Sequence, residues 1–473
     1  MRILIACNWA LPHAGGVNTY INQLVTGLRR AGHQVDTFSP TPDMTGYYIP
    51  ERGLFIETNS LYPVIAEKTK QFFEYQIPGI DPWILKSEIQ RYCMEAAAIY
   101  FGITDYDVIH AQDIITAHIF SRIKSPSTAL VTIIHGCLAK EWFVNLKEMG
   151  LPEQDQTSLL WKYSALRERL GATVSDVTLT PSNWLKQVLV QEFSVPEEAI
   201  DVSPYGIDVE QFRSDMLNDS HISTDHAKKI FICPARFDVV KGHIYLLRAL
   251  SKLKMERSDW ICWLVGEGTL SGELRRAVNE LNLNDHVFFL GNRNDVAALI
   301  RHADYFILPS IQDNQPFAVI EAQVAGKPVI VSDAGGIPEM VRHSETGFVF
   351  PSRDTDQLHL LLRSALENEQ LFKFMGSQAE AWSQHYWSLQ TMVNRILHFF
   401  EMARAKIASQ NPPVVTSVPE TEKRSTIRKI RRRRKNRIRT KARTRTRTRT
   451  RTRTRARTRA RVRTRARIRG GKR

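Results

Sequence analysis

Two carboxylates, Asp313 and Glu321, flank seven residues at the head of the segment DNQPFAVIEAQVAGKPVIVSDAGGIPE, residues 313–339. Pro316 suits the first turn of a helix, where its missing N–H costs nothing. Gly326 ends that helix and Pro328 blocks its continuation. Asp313 then lies in the loop before the helix and Glu321 on its second turn. The free N–H groups around Phe317 and Ala318 would point into a cleft and hold a phosphate or polarised oxygens. Glu321 can accept two hydrogen bonds from vicinal hydroxyls, as on a ribose, and Asp313 can do the same for a sugar.

A second group lies in PARFDVVKGHIYLLRAL, residues 234–250. Arg236 ends an apolar strand, and Lys241 with Gly242 opens the next helix. Arg offers a bidentate fork, Lys a point charge, and the helix dipole stands behind them. A diphosphate needs this set, which also stabilises negative charge growing on a leaving phosphate. Taken alone, the two cations read equally well as solvated surface charges. Their pairing with the 313–339 segment favours the phosphate reading.

The elements that must position these groups follow an alternating pattern. Ile3–Ala6 is an apolar run, a loop ends at Gly15–Gly16, and Val17, Ile21, Leu24, Val25 and Leu28 recur at helical spacing. Gln34–Phe38 reads as the next strand, completing a β-loop-α-β unit. Further strands are expected at Val108–His110, Ala129–Ile134, Val177–Thr180 and Asp201–Pro204. Residues 43–106 form an aromatic-rich insertion, helical near Ile84–Tyr100, whose rings can pack as core or grip a glycan. A polar linker, 213–229, precedes a second alternating set over 230–387, and an amphipathic helix at 388–405 returns to complete the first half, 1–212. The expected class is α/β: two Rossmann-like doubly wound domains facing a cleft, with ligands at the carboxyl ends of the strands.

Net charge separates the chain into two parts. Of 65 Lys and Arg, 28 fall in residues 423–473, which hold no Asp or Glu, leaving 37 against all 49 acids. Residues 1–422 therefore carry −12 and the tail +28. The tail, 410–473, opens on a Pro-containing spacer and runs into Arg-Thr alternation. It has nothing apolar to bury and is expected to be disordered. It can bind a polyanion (anionic lipid, wall polymer or nucleic acid), or simply tolerate its charge. The five cysteines are scattered and lack a CxxC pair, which excludes a disulfide framework or a structural zinc site. No stretch is long and apolar enough to span a bilayer. A cytoplasmic location is expected, with peripheral contact at the inner membrane face open.

The order and spacing of these motifs resemble the retaining GT-B glycosyltransferases of group 1, also called glycosyltransferase family 4, over nearly all of residues 1–405. The family hallmark is Glu, seven residues, Glu; here it reads Asp313 then Glu321. The resemblance implies that Asp313 contacts the transferred sugar, Glu321 the ribose, and Arg236 and Lys241 the donor diphosphate. It puts Gly266 near the nucleotide and Arg293 near the base. Gly15 and Gly16 match a glycine loop near donor phosphate and acceptor. His135, at the end of TIIHG, matches a histidine facing the reacting sugar, while His110 and Asp113 end a neighbouring strand as weaker acceptor-side candidates. Tyr205 and Gly206 stand where the family often has Asn-Gly.

The implied activity is transfer of a hexose from a nucleotide-diphosphate sugar to a hydroxyl acceptor with retention of configuration. It needs no metal, no other cofactor and no protein nucleophile. Two alternatives stay open: a nucleotide-sugar epimerase on the same architecture, and an inactive scaffold tethered by its tail. The insertion at 43–106 favours transfer. The Asp354-Thr355-Asp356 triplet spells a metal-binding motif of a different glycosyltransferase architecture, but its position before a helix makes Asp354 a cap.

Overall fold

The computed structural model describes residues 1–13, 15–148, 157–220, 222 and 228–410. Nearly all of the basic tail, from residue 411, lies outside the described residues, as does part of the expected linker. Eight described strands build one sheet: β1 (Arg2–Ala6), β2 (Gln34–Pro40), β3 (Gly46–Ile49), β4 (Leu54–Glu57), β5 (Val108–Ala111), β6 (Ala129–Ile133), β7 (Val177–Thr180) and β8 (Ile200–Val202). Their order is β4-β3-β2-β1-β5-β6-β7-β8. Only β3 is reversed: it pairs antiparallel with both β2 and β4, and the other pairings are parallel. A second, all-parallel sheet holds β9 (Lys229–Pro234), β10 (Trp260–Val265), β11 (Val287–Gly291), β12 (Tyr305–Leu308), β13 (Val329–Ser332) and β14 (Gly347–Phe350). Its order is β11-β10-β9-β12-β13-β14.

Both sheets reverse their winding at an internal strand pair. In the first, β1 pairs with β2 on one side and with β5 on the other, Ile3 lying beside Val108. In the second, β9 divides β10 from β12, with Phe231 beside Tyr305. Such switch points leave a crevice at the carboxyl ends of the strands. The central strands β1, β5, β10 and β12 are buried on both faces, which is why they read as continuous apolar runs.

The last helix, Leu389–Gln410, docks on the first, Gly16–Arg30. Gly27 permits this approach, because a Cβ there would come within 2.4 Å of Val393. Trp387 is buried just before that helix and donates its indole N–H to Gln323 Oε1 at 2.7 Å, which ties the returning chain to the second half.

The insertion holds the helix expected near Ile84–Tyr100, at Pro82–Phe101, together with elements the sequence did not announce. It opens with the β3–β4 hairpin, then forms helices Thr58–Gln76 and Pro82–Phe101. Its aromatics are divided: Tyr47 joins the core, while Phe55, Tyr62, Phe72, Tyr75 and Trp83 stay exposed. Helices Leu138–Glu148, Leu159–Thr173 and Glu369–Tyr386 were not legible in the sequence. The helix Val209–Asp215 takes up the first residues of the expected linker. Asp354 caps the helix Thr355–Glu367, accepting from Gln357 N at 2.9 Å, and Asp356 pairs with Lys252. All five cysteines are buried and unpaired. No described helix is long and apolar enough to cross a membrane.

Candidate active site

A cavity of about 510 Å³ opens where the carboxyl ends of the two sheets face each other. From the second sheet, β9 delivers Arg236 and β12 delivers Asp313. Lys241 closes the short turn Val239–Lys241, and Gly242, at φ +66°, starts the next helix. That glycine is required, because a Cβ would lie 2.0 Å from the Pro309 carbonyl oxygen. Lys241 Nζ reaches Asp313 Oδ2 at 2.5 Å, and Ser310 Oγ donates to the same oxygen at 3.2 Å. Arg236 stays exposed to the cleft and meets Asp238 at 3.2 Å.

The helix Phe317–Val324 begins after Pro316 without a side-chain cap, so its first turn faces the cavity through Phe317 and Ala318. Glu321 lies one turn further on the same wall. Among the described residues its carboxylate meets no donor, and burial pushes its carboxyl up to about 7. It is therefore a hydrogen-bond acceptor held ready in a poorly solvated place.

Across the cleft, Gly16 approaches Phe317, with 3.8 Å between its Cβ position and that ring, and Gly15 lies beside His13. His135 follows β6. Its Nδ1 meets Tyr205 Oη at 2.5 Å and its Nε2 meets Gln112 Oε1 at 3.2 Å. Gln112 spends its amide N–H on the His110 carbonyl at 3.2 Å. Its oxygen is thus the acceptor, which assigns the proton of His135 to Nε2 and makes Tyr205 the donor to Nδ1. Burial drives the His135 pKa down to about 3, so the ring is neutral at ordinary pH. With both nitrogens engaged, the ring offers no free acid or base. The backbone carbonyl of His135 accepts from Asn314 Nδ2 at 2.9 Å.

Sequence reasoning missed the groups that join the two walls. Asn314 also meets Ser182, and Gln315 Oε1 accepts from Tyr205 N at 2.6 Å. The rings of Tyr205 and Phe317 stack at 5.1 Å and 7°. Glu339 accepts from the backbone of Asn183 at 2.9 Å and of Trp184 at 2.6 Å, binding the start of the helix Asn183–Phe193 to the opposite half. Glu141 lines the cavity from the helix Leu138–Glu148. Asn314, Gln315 and Glu339 sat inside the motif segment and Tyr205 at a noted departure. Glu141 gave no signal, because its helix was not read.

Four candidates stand away from this cavity. His110 is wholly buried against Phe400, with Nδ1 on the Val131 carbonyl at 3.1 Å. Asp113 caps the helix Ile114–Ile123, accepting from Asn8, Ile115 and Thr116 N–H groups. Both were expected on the acceptor side; a core ring and a fully committed cap cannot reach a ligand there. Gly266 lies behind the wall, where a Cβ would come within 2.3 Å of the Ala235 carbonyl oxygen, so it lets the loop after β10 back the Arg236 turn. Arg293 lines a separate cavity of about 470 Å³ with Asn218 and Asn292. Its guanidinium is held by Asp295 at 2.5 Å and the Ser220 carbonyl at 2.8 Å.

Comparison with known sequences matches residues 218–382 to Glycosyl transferases group 1 and residues 14–211 to Glycosyltransferase Family 4. The chain belongs to the group 1 glycosyl transferases. Among this group, it is 23% identical over 422 residues to the MMP α-(1→4)-mannosyltransferase of Mycolicibacterium hassiacum, covering 86% of this chain and all of that protein. It is 25% identical over 387 residues to the N-acetyl-α-D-glucosaminyl L-malate synthase of Bacillus anthracis, covering 80% of this chain and 91% of that protein. Among solved structures, the Anabaena protein HepE in complex with UDP and glucose superposes with a TM-score of 0.60 at 19% identity, covering 85% and 99% of the two chains. Sucrose-phosphate synthase from Thermosynechococcus elongatus gives 0.63 at 19%, with the same coverage. The architecture of this group 1 glycosyl transferase is GT-B.

Proposed function

We propose that this glycosyltransferase moves a hexosyl group from a nucleotide-diphosphate sugar to a hydroxyl of an acceptor glycan or lipid-linked glycoconjugate, with retention of anomeric configuration. The supporting observation is the convergence of Arg236, Lys241, the uncapped start of the helix Phe317–Val324 and the unpartnered Glu321 on one cavity. The two cations and the helix dipole take the diphosphate, and Glu321 takes the ribose hydroxyls. Asp313 takes hydroxyls of the transferred sugar as Lys241 turns to the phosphates. The names of HepE's ligands, UDP and glucose, agree with such a donor.

In the reaction, the bond between the anomeric carbon and the diphosphate oxygen breaks. The acceptor oxygen bonds the same face of that carbon, and its proton passes to the departing diphosphate. Arg236, Lys241 and the helix start stabilise the charge that develops there. The His135 carbonyl, placed by Asn314, faces the reacting sugar, and the neutral ring only holds the loop in place. Because protein cations neutralise the diphosphate, the transfer needs no metal.

The test is a titration of the chain with UDP and GDP and their glucosyl and mannosyl esters, followed by assay with hydroxyl acceptors. Glu321→Ala and Lys241→Ala are expected to lose donor binding. The product's anomeric configuration, read by NMR coupling, is expected to match the donor's. Absence of any nucleotide binding, or an inverted linkage, defeats the reading. Release of an epimerised donor without acceptor would favour the epimerase instead.

A further inference from the structure

Glu141 has no part in the function just proposed, yet its carboxylate lies in the same cavity as Asp313. It sits on the first turn of the helix Leu138–Glu148, which packs against the Val239–Lys241 turn across the cleft. The first turn of that helix is anchored from behind. Glu168, wholly buried, accepts from Ala139 N at 2.9 Å. The Glu141 carboxylate folds over Gly136, where a Cβ would come within 2.3 Å of its Oε1. It is open to the cleft and crowded by protein elsewhere. Among the described residues no donor meets it. Crowding raises its carboxyl, Asp313 raises it further, and Lys241 and Arg236 oppose the rise. All three charged neighbours belong to the proposed donor site.

We infer that Glu141 selects the sugar that is transferred: with Asp313 it presents two carboxylates to the hydroxyls of an uncharged hexose and repels a hexuronic acid. The inference rests on the transfer reading above. Once the diphosphate occupies Arg236 and Lys241, a sugar beside it meets carboxylate oxygens from both halves. Such oxygens only accept hydrogen bonds, so a hydroxyl suits them. A carboxylate in the sugar brings like charges together at the cleft wall, and this is discrimination by repulsion. The sugar's neutrality is thus set by a residue outside the motif segment.

The experiment is calorimetric titration of the full chain with matched pairs that differ only at the sixth carbon. The pairs are UDP-glucose with UDP-glucuronate and GDP-mannose with GDP-mannuronate, with UDP and GDP as sugar-free references. The neutral member of the pair with the accepted base is expected to bind at least about tenfold more tightly, or ~1.4 kcal/mol. Glu141→Gln, which keeps shape and removes charge, is expected to bring the ratio within about threefold while still binding the sugar-free nucleotide. Gly136→Ala, which pushes the carboxylate aside, should shift the ratio in the same direction. A ratio near one in the wild type, or an unchanged ratio in Glu141→Gln, overturns the inference. Loss of sugar-free nucleotide binding in a folded Glu141→Gln overturns it too, by placing the residue with the diphosphate. If neither UDP nor GDP binds the wild type, the transfer reading itself fails, and the inference with it.

Discussion

Lys241 and Asp313 form a 2.5 Å ion pair across the floor of the cleft, each side chain less than a fifth exposed. Neither is free while paired, so on the proposed reading donor binding exchanges partners: phosphate for Lys241 and sugar hydroxyls for Asp313. Breaking such a pair from one side leaves the other charge stranded. Lys241→Ala should therefore weaken sugar-free nucleotide binding by about 10- to 100-fold, the worth of one charge-assisted hydrogen bond. Asp313→Asn should leave that binding within a few-fold and lower turnover of the whole donor, because only the sugar loses its acceptor. Equal losses of sugar-free nucleotide binding in both variants would contradict this division.

Glu321 carries a pH signature of defined sign. Its carboxyl is raised to about 7 by burial, so its proton is held more tightly in the folded chain than in the unfolded one. Folding stability then declines as pH rises from the ordinary carboxyl range toward 7 and levels off above it, at a cost of about 3 kcal/mol at most. Glu168, also raised to about 7 by burial, contributes a decline of the same sign. Glu321→Gln should remove only its own share, so Tm curves of variant and wild type should diverge between pH 5 and 8, with the variant higher at pH 8. Donor affinity should move the opposite way. If the ionised carboxylate accepts two ribose hydroxyls, as proposed, binding should strengthen through pH 7 in the wild type and stay flat in the variant. A wild-type affinity that falls over this interval would rule out the ribose contact.

How much of this was legible beforehand depended on range in sequence. Strands buried on both faces announce themselves as apolar runs, and β1, β5, β9 and β12 fall where such runs occur. The groups following β9 and β12 were legible for the same reason, since a strand end followed by a helix start is a local signal. The cross-cleft contacts were not. Nothing near Tyr205 tells that its ring will stack on Phe317 or that its hydroxyl will fix a tautomer of His135. His110 and Asp113 show the converse error. A strand end draws attention to both, but alternation along β5 turns the histidine under the last helix, and Asp113 is consumed by backbone N–H groups. The helices at 58–76, 114–123, 138–148, 159–173, 209–215 and 369–386 were not read from the sequence either.

Asp113 separates a structural carboxylate from the catalytic reading. It accepts from three backbone N–H groups at 2.8–2.9 Å, one of them Asn8 in the loop after β1. Asp113→Ala strands those donors in a buried place, and loss of a helix cap alone costs about 1–2 kcal/mol. A Tm several degrees lower is expected, with the nucleotide affinity of the folded fraction unchanged. Reduced affinity at full stability would return Asp113 to the ligand side.

The charge division gives a last prediction. Residues 1–422 carry −12, and on the proposed reading they gather an anionic donor, so local cations have to overcome the field of the body. Arg236 and Lys241 stand within contact of the site, where screening is weak, whereas any charge more than about 10 Å away is largely screened at 0.1 M salt. Truncation after Ser409 should therefore leave donor turnover within about twofold of the full chain at that ionic strength. At about 0.01 M salt, where screening reaches ~30 Å, the full chain should gain donor affinity over the truncated one. A large loss of turnover on truncation at 0.1 M salt would mean that the tail enters the site, and the separation of catalysis from charge-guided attachment would be wrong.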